Sequence, residues 1–344
     1  MQRKSKYNVA VIGVGAVGIE MLRVLRQRNF PIGELRVFAR SARDIEVDGH
    51  KYQVQEISPD GFSGIDIALF AGTEGEKGAA VTYASEAVKR SAVVIDNGAD
   101  FRMDTKVPLV VPEVNAKDIR SHKGIIANPN CSTIQMAVAL WPIYKEAVIK
   151  RIIVTTLQAS SGAGRGAVEQ LREETSLIAG AGFSNLRVKA QNKFLPQQLA
   201  YNVFPQIGAF GECGYTNEEW KLVHETHKIM HDNKIKISAT TVRVPVRTGH
   251  SESVYIETEK PLEPDKARSI LSKAAGVIVI DDPKNNLYPM PKDAEGKDEV
   301  FIGRIRKDYF VKNGLWLWVV ADNLRKGAAT NAVQIAECVI SNSK

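Results

Sequence analysis

The sequence is poor in the features that mark several common protein classes. Its 344 residues include three cysteines, Cys131, Cys213 and Cys338, and no pair has the spacing of a metal site or a redox dithiol. So few cysteines, odd in number, argue against a disulfide framework and suit a reducing compartment. No apolar run reaches the ~18 residues that a membrane span needs. The sequence therefore predicts a cytoplasmic protein that does not enter the membrane.

The distribution of charge lacks the usual signature of nucleic-acid binding. Lys and Arg number 46 against 39 Asp and Glu, but the basic residues are scattered and form no tract interleaved with aromatics. The formal net charge of +7 suits solubility or the attraction of small anionic ligands. His224, His227 and His231 have helical spacing, but no cysteine or cluster of acids accompanies them. We therefore predict a small anionic substrate, no nucleic-acid partner and no metal site.

Apolar runs in the first third of the chain alternate between strand and helix patterns. Such alternation is typical of a Rossmann-type doubly wound parallel sheet. The full length exceeds what one hydrophobic core usually organises, so a second domain is expected. The predicted strands are Asn8–Ile12, Leu35–Phe38, Ile65–Phe70 and Ala92–Ile95, and the predicted helices are Ile19–Arg28 and Ala79–Lys89.

After about residue 130 the apolar residues alternate with a period of two, as in antiparallel strands. This pattern predicts an α+β domain with a mainly antiparallel sheet, followed by a helix over Lys326–Ile340. The predicted strands are Arg151–Leu157, Lys236–Val246, Ser253–Glu257, Phe301–Lys307 and Leu315–Val320.

A glycine-rich segment, Gly13-Val14-Gly15-Ala16-Val17-Gly18, lies between the first predicted strand and the first predicted helix. This is the context that the dinucleotide-binding fingerprint requires, because the glycines allow backbone to approach a pyrophosphate at the helix N-terminus. An ordinary strand-to-helix turn is the alternative. We predict cofactor contacts at Gly13, Gly15, Ala16, Val17 and Gly18.

The end of the second predicted strand indicates which dinucleotide binds. An NAD enzyme typically has an acid there, which accepts hydrogen bonds from the ribose hydroxyls. This chain has Arg40 and Ser41, and no acid before Asp44. Since a guanidinium and a hydroxyl suit a 2′-phosphate, we predict NADP as the cofactor. The alternative is that Arg40 and Arg43 are ordinary solvated loop charges.

Cys131 follows Asn128-Pro129-Asn130 and precedes a long apolar helical pattern, which predicts a helix that begins near the cysteine. The positive end of a helix dipole favours a thiolate. By position alone, a reactive thiol and an ordinary buried cysteine are about equally supported.

Two further segments favour a reactive site. The segment Gln158–Gly164 is small and glycine-rich and follows a predicted strand, so its backbone can approach a ligand. Arg243 and His250 flank a predicted hairpin over Val242–Ser253, which would bring both side chains toward one ligand.

These motifs, in this order along nearly the whole chain, resemble the aspartate-β-semialdehyde dehydrogenase family. Several of the matching segments are long, so a chance match is improbable. The segments are Val107–Asn115, Asn128–Gln135, Gln158–Gly164, Arg243–Tyr255 and Gly303–Asp308.

The resemblance implies a role for each candidate residue. Cys131 forms a thioester, His250 is the acid/base group and Gln158 orients the acyl intermediate. Arg243 binds the substrate α-carboxylate and Glu218 its α-amine, although Glu219 is an open alternative. The resemblance also implies phosphate contacts at Arg102, Lys221 and Asn130, and cofactor contacts at Ser161, Gly162 and Asn323.

The implied reaction is the NADPH-dependent reductive dephosphorylation of L-aspartyl-4-phosphate to L-aspartate 4-semialdehyde, a step in lysine, threonine, methionine and diaminopimelate biosynthesis. The implied organisation is an NADP-binding domain at residues 1–130, to which a C-terminal helix within residues 323–344 returns. A catalytic and dimerisation domain at residues 131–322 would form a homodimer.

Two other functions remain open. N-acetyl-γ-glutamyl-phosphate reductase shares the thioester chemistry, but its acylated substrate nitrogen would leave Glu218 without a cationic partner. A catalytically silent NADP-binding protein is the alternative from another class. The joint presence of Cys131, Gln158, Arg243 and His250 argues against that second alternative.

Overall fold

The computed structural model describes residues 3–72, 78–184, 186–191 and 193–341. The chain forms two compact units. The first comprises Met1–Ile134, Lys228–Met230 and Gly327–Lys344, and the second comprises Gln135–His227 and His231–Lys326.

The first unit is built on a seven-stranded sheet with the order β3-β4-β2-β1-β5-β6-β7. Every adjacent pair is parallel except β3 and β4, which form an antiparallel hairpin. The predicted doubly wound parallel sheet is therefore confirmed. The strands are β1 (Tyr7–Ile12), β2 (Ile32–Ala39), β3 (Arg43–Val47), β4 (His50–Glu56), β5 (Ile67–Phe70), β6 (Val93–Asp96) and β7 (Ile125–Ala127).

Helices cover both faces of this sheet because each presents one apolar stripe to it. Met21, Leu22 and Leu25 of α1 pack with Val9 and Val11 of β1 in one buried cluster. On the other face, small alanines of α2 let that helix approach β5 closely in a second cluster. The helices that begin in this unit are α1 (Ala16–Gln27), α2 (Ala79–Lys89), the single turn α3 (Pro112–Asn115) and α4 (Cys131–Ala147).

The second unit contains a six-stranded mixed sheet with the order β11-β12-β13-β10-β8-β9. The pairs β8/β9 and β11/β12 are parallel, and the other three are antiparallel. The strands are β8 (Ile149–Gln158), β9 (Lys236–Arg243), β10 (His250–Thr258), β11 (Val277–Val279), β12 (Val300–Lys307) and β13 (Gly314–Ala321).

The predicted hairpin between Arg243 and His250 is wrong. β9 ends at Arg243 and β10 begins at His250, but β8 lies between these two strands in the sheet. Residues 244–249 therefore cross the end of β8, and Val244 N donates a hydrogen bond to Gln158 O at 3.0 Å. Both side chains still reach the same end of the sheet, but β8 separates them.

The remaining helices of this unit are α5 (Arg165–Gly180), α6 (Asn217–Met230), α7 (Pro264–Leu271) and the single turn α8 (Pro291–Ala294). A π-helical turn at Arg325–Ala329 precedes α9 (Thr330–Ser341), so the predicted helix over Lys326–Ile340 is α-helical only from Thr330. Val333 and Ala336 of α9 belong to the same buried cluster as α1. Across the described ranges, no helix is both long enough and apolar enough to cross a membrane.

Candidate active site

The glycine loop of the first unit is shaped for close approach to its backbone. Gly13 has φ of +99°, and its N–H donates to Phe38 O at 2.8 Å. A Cβ at Gly18 would lie 1.8 Å from Gly13 O, whereas a Cβ at Gly15 would meet no atom within 4 Å. Gly18 is therefore needed for packing between helix and loop, and Gly15 leaves open space at the N-terminus of α1, where Ala16 and Val17 are the first helical residues.

Arg40 and Ser41 lie just beyond the carboxyl end of β2, the strand next to β1. Both are exposed, and Arg43 Nη1 donates to Ser41 Oγ at 3.1 Å. Because parallel neighbours end at the same edge, this basic segment and the glycine loop lie at one edge of the sheet. The residues present fit a dinucleotide with a 2′-phosphate.

Cys131 is the first residue of α4, and Asn130 caps that helix. Asn130 Oδ1 accepts hydrogen bonds from the backbone N–H groups of Ser132 at 3.0 Å and Thr133 at 3.3 Å. Cys131 is not part of a disulfide and is half-buried. A thiol at this position lies at the positive end of the helix dipole.

Arg102 is buried in the first unit, and backbone carbonyls fix its guanidinium. Nε donates to Asn128 O at 3.0 Å, and Nη2 donates to Asn97 O at 2.7 Å. Lys228 Nζ donates to three carbonyls of the same segment, Arg102 O, Asp104 O and Val107 O, at 2.7 to 2.8 Å. Sequence reasoning missed Lys228, since nothing in the sequence around a helical lysine reveals that it anchors a distant loop.

In the second unit, three predicted residues share one face of the sheet, at the end where β8 and β9 finish. Gln158 of β8 pairs in register with Arg243 of β9, and both side chains are buried. His250 begins β10 on the other side of β8 and is fully buried. Glu252 of β10 pairs with Thr156 of β8, and side chains two residues apart on a strand lie on one face, so Gln158, Arg243 and His250 point to the same face of the sheet.

A single residue, Ala159, links two of these side chains. Its N–H donates to His250 Nδ1 at 3.0 Å, and its carbonyl accepts from Arg243 Nη1 at 2.6 Å. Ala159 follows β8 directly, so the strand end that carries Gln158 also orients the histidine and the arginine. Sequence reasoning missed Ala159 because a backbone donor has no residue signature.

The hydrogen bond from Ala159 also determines the protonation of His250. Nδ1 is the acceptor, so the neutral ring carries its hydrogen on Nε2. Burial lowers the pKa of His250 well below its usual value, and the charge of Arg243 lowers it further. Nε2 is buried and has no hydrogen-bond partner within the described part of the chain. The environment therefore favours a neutral ring whose Nε2–H makes no hydrogen bond within the described part of the chain.

The structure separates the roles of Glu218 and Glu219 in α6. Both oxygens of Glu219 accept from backbone amides, Oε2 from Thr216 N at 2.8 Å and Oε1 from Thr241 N at 2.9 Å. Glu218 Oε1 instead accepts from Gln158 Nε2 at 3.1 Å, and Glu218 Oε2 lies 3.5 Å from Lys221 Nζ. Glu219 is thus part of the helix cap, and Glu218 faces the predicted catalytic residues.

Ser161 and Asn323, both predicted to contact the cofactor, are hydrogen-bonded to each other. Asn323 Nδ2 donates to Ser161 Oγ at 3.0 Å, and Gly249 N donates to Asn323 Oδ1 at 2.9 Å. A Cβ at the neighbouring Gly162 would lie 3.0 Å from His250 Nε2. Gly162, which follows Ser161 in the chain, therefore borders His250 Nε2.

No group of three or more His, Cys, Asp and Glu side chains among the described residues is arranged to hold a metal ion. The arrangement offers a thiol at a helix N-terminus in one unit. In the other it offers a neutral imidazole donor, a fixed guanidinium and a buried carboxylate. The thiol of the first unit suits nucleophilic chemistry. The groups of the second unit suit recognition of a carboxylate and an amine.

Comparison with known proteins gives the same assignment. Residues 8–122 match the family model described as semialdehyde dehydrogenase, NAD binding domain. Residues 140–326 match the model described as semialdehyde dehydrogenase, dimerisation domain.

Full-length relatives support this match. The aspartate-semialdehyde dehydrogenase of Aquifex aeolicus is 54% identical over 97% of this chain and 98% of its own length. The Bacillus subtilis enzyme of the same name is 50% identical over 96% of each chain. The crystal structure of aspartate semialdehyde dehydrogenase II from Vibrio cholerae, complexed with ASA, superposes with a TM-score of 0.93 at 42% identity, covering 99% of this chain and 100% of that one. The chain therefore belongs to the aspartate-semialdehyde dehydrogenase family.

Proposed function

We propose that this chain reduces L-aspartyl-4-phosphate to L-aspartate 4-semialdehyde and inorganic phosphate through a thioester on Cys131. Membership of the family makes the chain an oxidoreductase that uses NADP. The assignment of each step to a residue is our proposal. We also propose a division into two domains. Residues 1–130 and 323–344 form the NADP-binding domain, and residues 131–322 form the catalytic and dimerisation domain. Residues 342–344 lie outside the described part of the chain.

In the first step, the Cys131 thiolate attacks the β-carbonyl carbon of the acyl phosphate. The carbon–sulfur bond forms, the carbon–oxygen bond to phosphate breaks, and phosphate leaves with its electron pair. Asn130 supports this step because it fixes the helix whose N-terminal amides favour the thiolate. Arg102 and Lys221 provide positive charge for the leaving phosphate.

In the second step, the thioester is reduced. NADPH, when bound, supplies the hydride. The carbonyl oxygen then carries the negative charge, and the Nε2–H of His250 stabilises that charge as a hydrogen-bond donor. When the carbon–sulfur bond breaks, the aldehyde forms and sulfur leaves as the thiolate with which the cycle began.

This role refines the acid/base assignment expected for His250. A neutral imidazole with hydrogen on Nε2 can donate a hydrogen bond, but loss of that hydrogen would leave an imidazolate. Taking up a second proton at Nδ1 would break the hydrogen bond from Ala159 N. The geometry thus favours a hydrogen-bond donor, and the balanced reduction step requires no proton from the ring.

The observation that carries the proposal is the pair of hydrogen bonds made by Ala159. They hold an imidazole donor and a guanidinium in fixed positions beside the Gln158 amide. Arg243 then binds the α-carboxylate, for which a planar guanidinium is better suited than an ammonium. Glu218 binds the α-amine. In N-acetyl-γ-glutamyl-phosphate reductase the corresponding substrate nitrogen is uncharged, so the buried Glu218 carboxylate favours the aspartyl substrate.

The same proposal includes the setting of the reaction. We infer a homodimer formed through the second domain, a cytoplasmic location, and a role in lysine, threonine, methionine and diaminopimelate biosynthesis. The substrates are small molecules, and neither a nucleic acid nor a membrane takes part.

Substitution of Cys131 by Ala tests the proposal. Reduction of NADP by aspartate semialdehyde, measured with and without phosphate, should be phosphate-dependent in the wild type and absent in Cys131→Ala. NADPH binding, measured by fluorescence, should be unchanged. Cys213→Ala is the matched control, because that cysteine is exposed and should not affect turnover. Wild-type turnover in Cys131→Ala would rule out the thioester, and a preference for N-acetylglutamate semialdehyde would favour the reductase alternative.

A further inference from the structure

Glu252 is a buried carboxyl group of the second unit that has no role in the proposed mechanism. Glu252 lies on β10, two residues after His250, and is fully buried. Neither of its oxygens meets hydrogen-bond geometry with any residue that the structure describes. A buried carboxyl group is costly unless it is neutral or paired, so its retention requires a reason.

Gln135 is the polar side chain that faces Glu252. It lies on α4, one helical turn after Cys131, and is fully buried. Its two amide atoms, like the oxygens of Glu252, have no partner in hydrogen-bond geometry within the described ranges. Burial raises the pKa of Glu252 well above its usual range, and the Gln135 side chain opposes this rise.

The rest of the environment offers Glu252 no compensating charge. Its neighbours across β8 and β13 are Thr156 and Val319. The buried ionisable groups of the second unit include His250 and Arg243 on the sheet and Glu218 and Glu219 on α6, but none of them shifts the pKa of Glu252. Among the described residues, only burial and Gln135 perturb the ionisation of Glu252. A neutral carboxylic acid is therefore the form that this environment favours.

We propose that Glu252 is a positioning residue which, as a neutral carboxylic acid, joins β10 to α4 through a reciprocal pair of hydrogen bonds with Gln135. In the proposed pair the Glu252 O–H donates to Gln135 Oε1, and Gln135 Nε2 donates to the Glu252 carbonyl oxygen. Because neither group is in hydrogen-bond geometry in the structure, the pair requires the two side chains to rotate toward each other. The pair holds the first turns of the helix that begins at Cys131 against the strand that begins at His250. This inference rests on the proposed roles of Cys131 and His250.

Only the protonated acid can make both bonds, because a carboxylate has no hydrogen to donate. A glutamine at position 252 keeps one donor and one acceptor and can form the same pair without a proton. A leucine has similar size but offers neither. Glu252→Gln and Glu252→Leu therefore separate the hydrogen bonds from the volume of the side chain.

The pH dependence of stability has a definite sign. A carboxyl group whose pKa is higher in the folded state stabilises the fold fully below its unfolded pKa of about 4.5. That stability is lost progressively as the pH rises toward the folded pKa. Glu252→Gln lacks this loss, so its melting temperature relative to wild type should be higher at pH about 8 than at pH about 5.

The decisive experiment combines infrared spectroscopy with kinetics on the full chain. At neutral pH, the wild-type spectrum minus that of Glu252→Gln should contain the carbonyl band of a protonated carboxylic acid. Glu252→Gln should keep kcat and the rate of Cys131 alkylation by iodoacetamide within about twofold of wild type. Glu252→Leu should lower kcat by about tenfold or more, since misplacement by about 1 Å costs up to ~100-fold. Val254→Ala, on the same buried face of β10, is the control for general loss of packing.

Three results would overturn the proposal: a carboxylate band in place of the acid band, equal loss of kcat in Glu252→Gln and Glu252→Leu, or wild-type kcat and alkylation in a folded Glu252→Leu variant. If the proposed thioester chemistry itself were wrong, Cys131→Ala would stay active while the infrared band remained. The two failures are therefore distinguishable.

Discussion

Gly162→Ala tests the packing around His250 directly. A Cβ at this position would lie 3.0 Å from both Cε1 and Nε2 of His250, and 3.3 Å from Arg243 Nη1. Optimal contacts between carbon atoms are about 3.5 to 4.0 Å. The imidazole must therefore move by a few tenths of an ångström. The backbone of Gly162 is not in the left-handed region and accepts alanine.

We expect this movement to lower kcat by about 10- to 100-fold, because misplacement of a donor by a fraction of an ångström to 1 Å weakens its bond to the charge that develops in the transition state. A shift of the ring away from Gly162 also changes the geometry of the hydrogen bond from Ala159 N to His250 Nδ1. The assay is phosphate-dependent reduction of NADP by aspartate semialdehyde. Both substrates and phosphate should be saturating, since Gly162 is also a proposed cofactor contact.

Gly180→Ala is the matched control, because a Cβ there, at the end of α5, meets no atom within 4 Å. It should keep kcat and the melting temperature of the wild type or slightly raise the latter. A folded Gly162→Ala variant with kcat within about twofold of wild type would refute the assignment of His250 Nε2 as the donor to the reacting oxygen.

Three further changes have distinct expected outcomes. Arg243→Lys should raise the KM for aspartate semialdehyde by about tenfold or more and should also lower kcat. The reason is that one ammonium group cannot replace a guanidinium that binds the carboxylate and also donates to Ala159 O. An unchanged kcat/KM would contradict the carboxylate role. Gly18→Ala should lower both the melting temperature and the affinity for NADPH, because its Cβ would lie 1.8 Å from Gly13 O, whereas Gly15→Ala, with open space at that position, should lower only the affinity. The pKa of His250 is lower in the folded state than its usual 6.5, so as the pH falls the unfolded chain is protonated at this residue before the folded chain. Below pH about 6.5 the melting temperature of the wild type should therefore fall more steeply than that of His250→Asn. Parallel curves of melting temperature against pH for the two proteins would contradict a neutral, buried ring.

The parallel core of the first sheet was predictable from the sequence because its strands are apolar on both faces and are bounded by turn residues. Strands β3 and β4 were missed for the opposite reason. They form the exposed edge of the sheet, and five of the seven residues of β4 are exposed, so no apolar period marks them. The only local signal was Asp48-Gly49, both with positive φ, a dipeptide typical of a tight hairpin turn.

The order of strands in the second sheet could not be read from local pattern. Two strands separated by a short connection usually pair with each other, which is why β9 and β10 were expected to form a hairpin. The insertion of β8 between them depends on pairings with residues about 100 positions earlier in the chain. Arg243 and His250 nevertheless lie at the same end of the sheet, although the hairpin that was expected to bring them together is absent.

The sequence itself indicates whether Glu218 or Glu219 faces the substrate. Thr216-Asn217-Glu218-Glu219 fits the capping box, in which Ser or Thr is followed three residues later by Glu or Gln. The structure contains both reciprocal hydrogen bonds of that motif, which commits Glu219 to the helix terminus. Glu218 is then the remaining acid, and its hydrogen bond to Gln158 Nε2 places it beside the proposed catalytic residues.

A motif search finds the candidate catalytic side chains but not the groups that position them. The backbone of Ala159 and the proposed acid form of Glu252 are two such groups. On the buried face of the second sheet, burial lowers the pKa of His250 and raises the pKa of Glu252, so it favours the neutral form of both groups. Neutral groups direct hydrogen bonds without adding charge to a layer that must already accommodate Arg243 and a negatively charged substrate. In the mechanism that we propose, the negative charge that develops on the thioester oxygen therefore meets a donor fixed before the reaction begins, and the sulfur needs no proton from the histidine to leave.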